Sequence, residues 1–168
     1  MDDSKLPRAR AVLDARVTRC CEACWPLAKG RPSVILVTSS RGCAICAGSN
    51  NRRAALELVA AMERESACHL LVVGGTPVNH KELGRLLKGS SIELRCIDGA
   101  ARAPTQKEAW ADLHWADVTV IWASTPLPHK VSNLYTAERL GRPPITVAER
   151  GIVALCHAVC RSLELHGA

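Results

Sequence analysis

Apolar runs rich in Val and Ile recur five times along this chain, at residues 33–38, 70–73, 92–97, 118–122 and 145–147, and each is followed by turn residues and then a helical pattern. Runs this short are strand-length, and strands that alternate with helices pair in parallel through helical crossovers. The expected fold is therefore α/β: a Rossmann-like three-layer sandwich with a mostly parallel sheet of four to five strands and a cysteine-containing N-terminal extension. The absence of Phe and the single Tyr leave a core of Leu, Val, Ile, Ala and Cys, which suits strands covered on both faces. At 168 residues the chain supplies one well-buried core and a short appendage. The expected division puts residues 1–66 in a cysteine-rich extension with the first strand and helix, and residues 67–168 in the Rossmann-like domain.

Helix boundaries are signed locally. Asn79-His80-Lys81-Glu82 and Thr105-Gln106-Lys107-Glu108 both fit a capping box, in which a polar cap and a Glu three residues on satisfy orphan N–H groups. These starts predict helices running to about Lys88 and Trp115. A third helix is expected after Pro126 and Pro128, ending near Gly141, and a last one over residues 151–165. Within residues 7–30 an amphipathic helix reads through Val12, Ala15 and Val17 until it meets the cysteine cluster at 20–24, with Pro26 stopping any helix there. The run at 34–37 reads as a buried strand.

Nine cysteines in a chain that opens Met1-Asp2-Asp3-Ser4-Lys5, without a secretory leader, point to a cytoplasmic protein whose thiols stay reduced. No apolar stretch reaches the roughly 18 residues of a membrane span. Metal binding, redox chemistry or plain burial then outranks a disulfide framework. The sharpest spacing is Cys21-x2-Cys24 followed, after 18 residues, by Cys43-x2-Cys46, the pattern of four-thiolate sites. Two intervening residues let the backbone fold so that both sulfurs of a pair face one ion. Thiolates suit zinc and iron–sulfur centres alike, a haem is also compatible, and Cys20 is a fifth candidate. Cys156 and Cys160, one helical turn apart in line with Ile152, Val159 and Leu163, read as the inward face of the last helix. Cys68 and Cys96 read as buried thiols, and Asp117 as the residue that opens a strand.

Net charge is +6, and residues 1–66 hold 11 basic against 7 acidic residues. That excess suits an anionic partner, nucleic acid included, although five aromatic residues leave little for a base-stacking surface. Arg41, Arg52 and Arg53 flank the second CxxC and suit either phosphates or a thiolate-rich centre.

Ligands of open α/β sheets bind at the carboxyl ends of the strands. Gly74 and Gly75 let a backbone approach a ligand closely there. Asp98 ends another strand, and Ser124, His129 and Lys130 follow a third; together they predict a site for a small anion. The segments 75–81 and 124–130 echo each other, each placing Thr-Pro a few residues before His-Lys. Neither G-x-G-x-x-G after a strand nor G-x-x-x-x-G-K-[ST] occurs, so a dinucleotide fold fingerprint and a P-loop are excluded.

Several of these features also occur together in one family. Leu70-Leu71-Val72-Val73-Gly74-Gly75, Cys96-Ile97-Asp98-Gly99, Trp115-Ala116-Asp117-Val118, and Ser124 leading to His129-Lys130-Val131-Ser132 stand in an order that resembles the bacterial domain-of-unknown-function family 2325. The resemblance covers about residues 69–165 and implies a small Rossmann-like domain. It does not reach the two CxxC pairs.

Three functions are compatible with these residues. The favoured one is a metal-associated sensor or ligand-binding protein, with Cys21, Cys24, Cys43 and Cys46 on the metal and a small anionic ligand on the Rossmann-like edge. The second is an enzyme acting on a phosphorylated or nucleotide substrate with His129 as acid or base. The third is a nucleic-acid-associated regulator. A homodimer fits any of them, since two chains can share a cysteine cluster.

Overall fold

The computed structural model describes residues 5–29, 34–98, 103–123, 128–136 and 143–166. The chain divides into two units, residues 1–53 and 54–168.

The first unit holds α1 (Lys5–Arg16), β1 (Val17–Cys20), a 3-10 turn at Glu22–Cys24, α2 (Trp25–Ala28), β2 (Val34–Val37) and a second 3-10 turn at Ser40–Gly42. β1 and β2 pair in parallel in a two-stranded sheet of their own, from Val17↔Val34 to Cys20↔Val37. Three expectations are corrected here. The helix predicted through Val12, Ala15 and Val17 ends at Arg16, because Val17 and Thr18 are β-branched and favour a strand. Pro26 stops nothing; it sits in the first turn of α2, where its missing N–H would have had no partner anyway. And β2 is not a buried member of the main sheet: Val34, Leu36 and Val37 are 69%, 54% and 62% exposed. Apolar composition marks a strand, but only its neighbours decide whether it is covered.

The second unit takes in most of α3 (Asn50–Arg64), then alternates β3 (His69–Gly74), α4 (Pro77–Leu87), β4 (Glu93–Ile97), α5 (Gln106–Trp115), β5 (Val118–Trp122), α6 (His129–Tyr135), β6 (Ile145–Val147) and α7 (Ile152–His166). Its four strands are all parallel, in the order β4-β3-β5-β6. Alternation along β3 separates two cores. Leu70 and Val72 pack with Leu58 and Met62 of α3, Leu83 of α4 and Leu155 and Val159 of α7. Leu71 and Val73 pack with Ala109 of α5 and Val131 and Tyr135 of α6. Helices thus cover both faces, and the Rossmann-like α/β sandwich is the fold of this unit. The chain steps outward from β3 to β4, then crosses back over β3 to β5, which makes the β3/β5 boundary the switch point of the sheet.

The helix caps follow the sequence in one case and depart from it in another. Thr105 and Glu108 form the expected capping box on α5. On α4, however, the cap is Thr76, whose Oγ1 accepts from the Asn79 N–H at 3.3 Å. Pro77 is pre-shaped for the first helical position, so the helix begins two residues before the expected Asn79. Inside the second core, the half-exposed Arg95 donates to Asp112 at 2.6 Å and the buried Tyr135 hydroxyl donates to the other carboxylate oxygen at 3.0 Å. No helix among the described residues is long and apolar enough to cross a membrane.

Candidate metal centre

The first CxxC follows β1 directly, and the second follows β2 after one 3-10 turn. Because the strands are parallel and in register at Cys20↔Val37, their carboxyl ends deliver both pairs to the same place. Two backbone links hold the loops there: the Thr38 N–H donates to the Cys20 carbonyl at 2.9 Å, and the Ala44 N–H to the Arg19 carbonyl at 2.8 Å. Each pair is itself a tight turn. Cys24 N–H donates to the Cys21 carbonyl at 3.0 Å, and Ala47 N–H to the Cys43 carbonyl at 2.9 Å. The second turn exits through Ala47 and Gly48 at positive φ, 49° and 78°, a geometry in which glycine is unstrained. A strand between two CxxC pairs is therefore no obstacle to a shared site; it is what carries the second pair to the first.

Cys21, Cys24, Cys43 and Cys46 are all buried, and their four sulfurs lie within 4.8 Å of one another. Cys21 Sγ and Cys46 Sγ are 3.8 Å apart. Four sulfurs at about 2.3 Å from one tetrahedral ion stand about 3.8 Å from each other, so the spacing fits a metal ion. The electrostatics fit as well. Burial alone would push the Cys43 thiol up, but the backbone N–H groups of Cys46, Cys21 and Ile45 directed at its sulfur bring it down to about 6. Burial, reinforced by Cys21, Cys46 and Cys43, holds Cys24 far above the ordinary thiol range. Crowded thiolates repel one another in a dry site, and a cation removes that cost.

Cys20 is buried beside Cys43 but is not one of the four whose sulfurs gather within 4.8 Å. Its thiol donates to the Cys21 carbonyl at 3.1 Å, and burial together with Cys43 raises its pKa. Cys156 is buried in the core beneath α7, and burial pushes its thiol up to about 12; Cys160 packs against the same core and reaches about 11, again through burial.

The expected ligand edge is only partly gathered. Gly74 and Gly75 lie at the end of β3, at the switch point, with φ of 91° and 81°. The His80 imidazole donates to the Gly74 carbonyl at 2.7 Å. Trp122 floors this place: a Cβ on Gly75 would meet its ring at 2.6 Å, while its indole N–H donates to the Glu149 carbonyl at 3.0 Å. Asp98, at the end of β4, lines a separate cleft of about 330 Å³ with Cys96, Ile97, Pro104, Glu108 and Asp112. His129 and Lys130 open α6 and are exposed. Ser124 lies outside the described residues. One further group of metal-type donors, Cys68, His69 and Asp117, carries no spacing motif and was not read from the sequence. Comparison with known proteins finds no family model, no curated protein and no solved structure that matches this chain.

Proposed function

We propose that residues 1–53 form a closed four-thiolate site for a single zinc ion, and that this ion holds folded a part of the chain that has little core of its own. One observation carries the reading: four buried sulfurs within 4.8 Å of one another. A cluster of several irons keeps its irons and sulfides between the cysteines, which spreads the thiolates wider than a single ion does. A two-stranded sheet with an exposed outer strand is marginal by itself, so the binding energy of a structural ion becomes folding energy. Four thiolates around a divalent cation leave net negative charge, which Arg41, Arg52 and Arg53 on the adjoining segment are suited to balance. The Rossmann-like unit, with its resemblance to family 2325, serves as the ligand-receiving part, its switch point at Gly74 and Gly75 being the place where such sheets accept ligands.

Metal analysis and an absorption spectrum of protein purified without oxygen test this. The expected protein is colourless and contains zinc, of which one ion per chain is lost from a Cys43→Ser, Cys46→Ser variant and kept by Cys156→Ser. Visible bands from bound iron would overturn the choice of zinc, and a folded, metal-free protein would overturn the site.

A further inference from the structure

Cys68, His69 and Asp117 meet at the amino-terminal end of the four-stranded sheet, the end opposite Gly74. Each offers one donor atom, all within 4.8 Å of one another. The Cys68 sulfur is 3.5 Å from His69 Nδ1, and that nitrogen is 3.2 Å from Asp117 Oδ2. Around a tetrahedral zinc-class ion the sulfur–nitrogen and nitrogen–oxygen edges are about 3.6 Å and about 3.3 Å. Both printed edges match those of one ion, and the sulfur and the carboxylate also lie within 4.8 Å of each other.

Backbone contacts fix the arrangement. Register places Leu70 opposite Val118, so His69, the first residue of β3, and Cys68 before it face Asp117, the residue just before β5. Asp117 Oδ2 accepts the N–H groups of Cys68 and His69 at 2.8 and 2.9 Å, and the Asp117 N–H donates back to the His69 carbonyl at 3.0 Å. The His69 ring lies tilted against Trp115, 4.8 Å between centroids, and Glu93 stands 4.0 Å from its Nε2. Such outer contacts are how proteins orient the ligands of a metal.

A Cys-His-Asp set also suggests a nucleophilic thiol, but the geometry speaks against one. A relay needs sulfur and carboxylate on opposite ring nitrogens. Here the carboxylate is on Nδ1, which is also the nitrogen closest to the sulfur.

We infer that Cys68, His69 and Asp117 form a second metal site, for a divalent zinc-class ion held by one thiolate, one imidazole and one carboxylate. With three protein donors and half-exposed side chains, it keeps a coordination position for water or a small ligand, unlike the closed four-thiolate site.

Cobalt titration of the full chain, followed by visible absorption, tests this independently of the first site. About two cobalt ions per chain are expected, one in a strongly absorbing thiolate-rich environment and one in a weaker mixed one. Asp117→Asn keeps an oxygen for the two N–H groups and so keeps the strand ends in place; it and His69→Ala should each weaken the second ion by at least about tenfold. Cys43→Ser, Cys46→Ser should remove only the first. Binding of a single ion that the Cys43→Ser, Cys46→Ser variant abolishes would overturn this second site. Two ions with unchanged affinity in both Asp117→Asn and His69→Ala would do so too. A single ion lost in His69→Ala but kept without Cys43 and Cys46 would instead uphold it and overturn the four-thiolate site.

Discussion

At Gly75 a single missing Cβ decides how two strands meet. Its φ of 81° is strained for any other residue, and a Cβ would stand 2.6 Å from the Trp122 ring. Gly89 shares the positive φ, 82°, but a Cβ there meets nothing within 4 Å. Gly75→Ala should therefore cost at least about 2 kcal/mol, strain and overlap together, against about 1 kcal/mol for Gly89→Ala. Urea unfolding measures both, and equal losses would show that Trp122 gives way freely. In sequence, Gly74 and Gly75 read as room for a ligand; a partner 47 positions along the chain, which gives Gly75 a packing role of its own, cannot be seen from the local motif. Tyr135→Phe removes one donor from Asp112 and should cost about 1 kcal/mol. For the thiols, spacing was informative where two pairs repeat it and silent elsewhere. It picks out Cys21, Cys24, Cys43 and Cys46, whereas Cys68 reads in the sequence as a buried thiol and lies among metal-type donors that only the fold brings together.

Among elements, those with a strong local signature were legible. The capping box of α5 lies where Thr105 and Glu108 put it, and the inward line of α7 holds Ile152, Cys156, Val159 and Leu163 in the core. α4 was displaced because two capping signals overlap, Asn79 with Glu82 and Thr76 with Pro77; the proline, with its fixed φ, wins. Consequently Thr76→Ala should lose about 1 kcal/mol and Asn79→Ala much less, judged by thermal unfolding. The opposite ranking would restore Asn79 as the cap. β1 escaped notice because four residues, Val17 to Cys20, are too few to show a period and adjoin a helix. β2 was found but wrongly placed, since a run of Val, Ile and Leu looks the same in a central strand and in an exposed outer one.

For the whole molecule, composition and alternation were enough to give an α/β sandwich with parallel strands, but strand order was not. The order β4-β3-β5-β6 depends on which way each crossover turns, and no single segment records that. The two units should respond differently to metal removal. Hydrogen exchange read by mass spectrometry should show residues 1–53 losing protection when a chelator strips the protein, while β3 and β5 stay protected. Uniform retention across both units would mean that the ion contributes nothing to folding. The most direct test of the four-thiolate centre is X-ray absorption at the metal edge, on a His69→Ala, Asp117→Asn chain so that the mixed site does not contribute. Four sulfur neighbours at about 2.3 Å, with no second metal beyond them, are predicted. Nitrogen or oxygen neighbours in that shell, or a metal–metal distance, would contradict it.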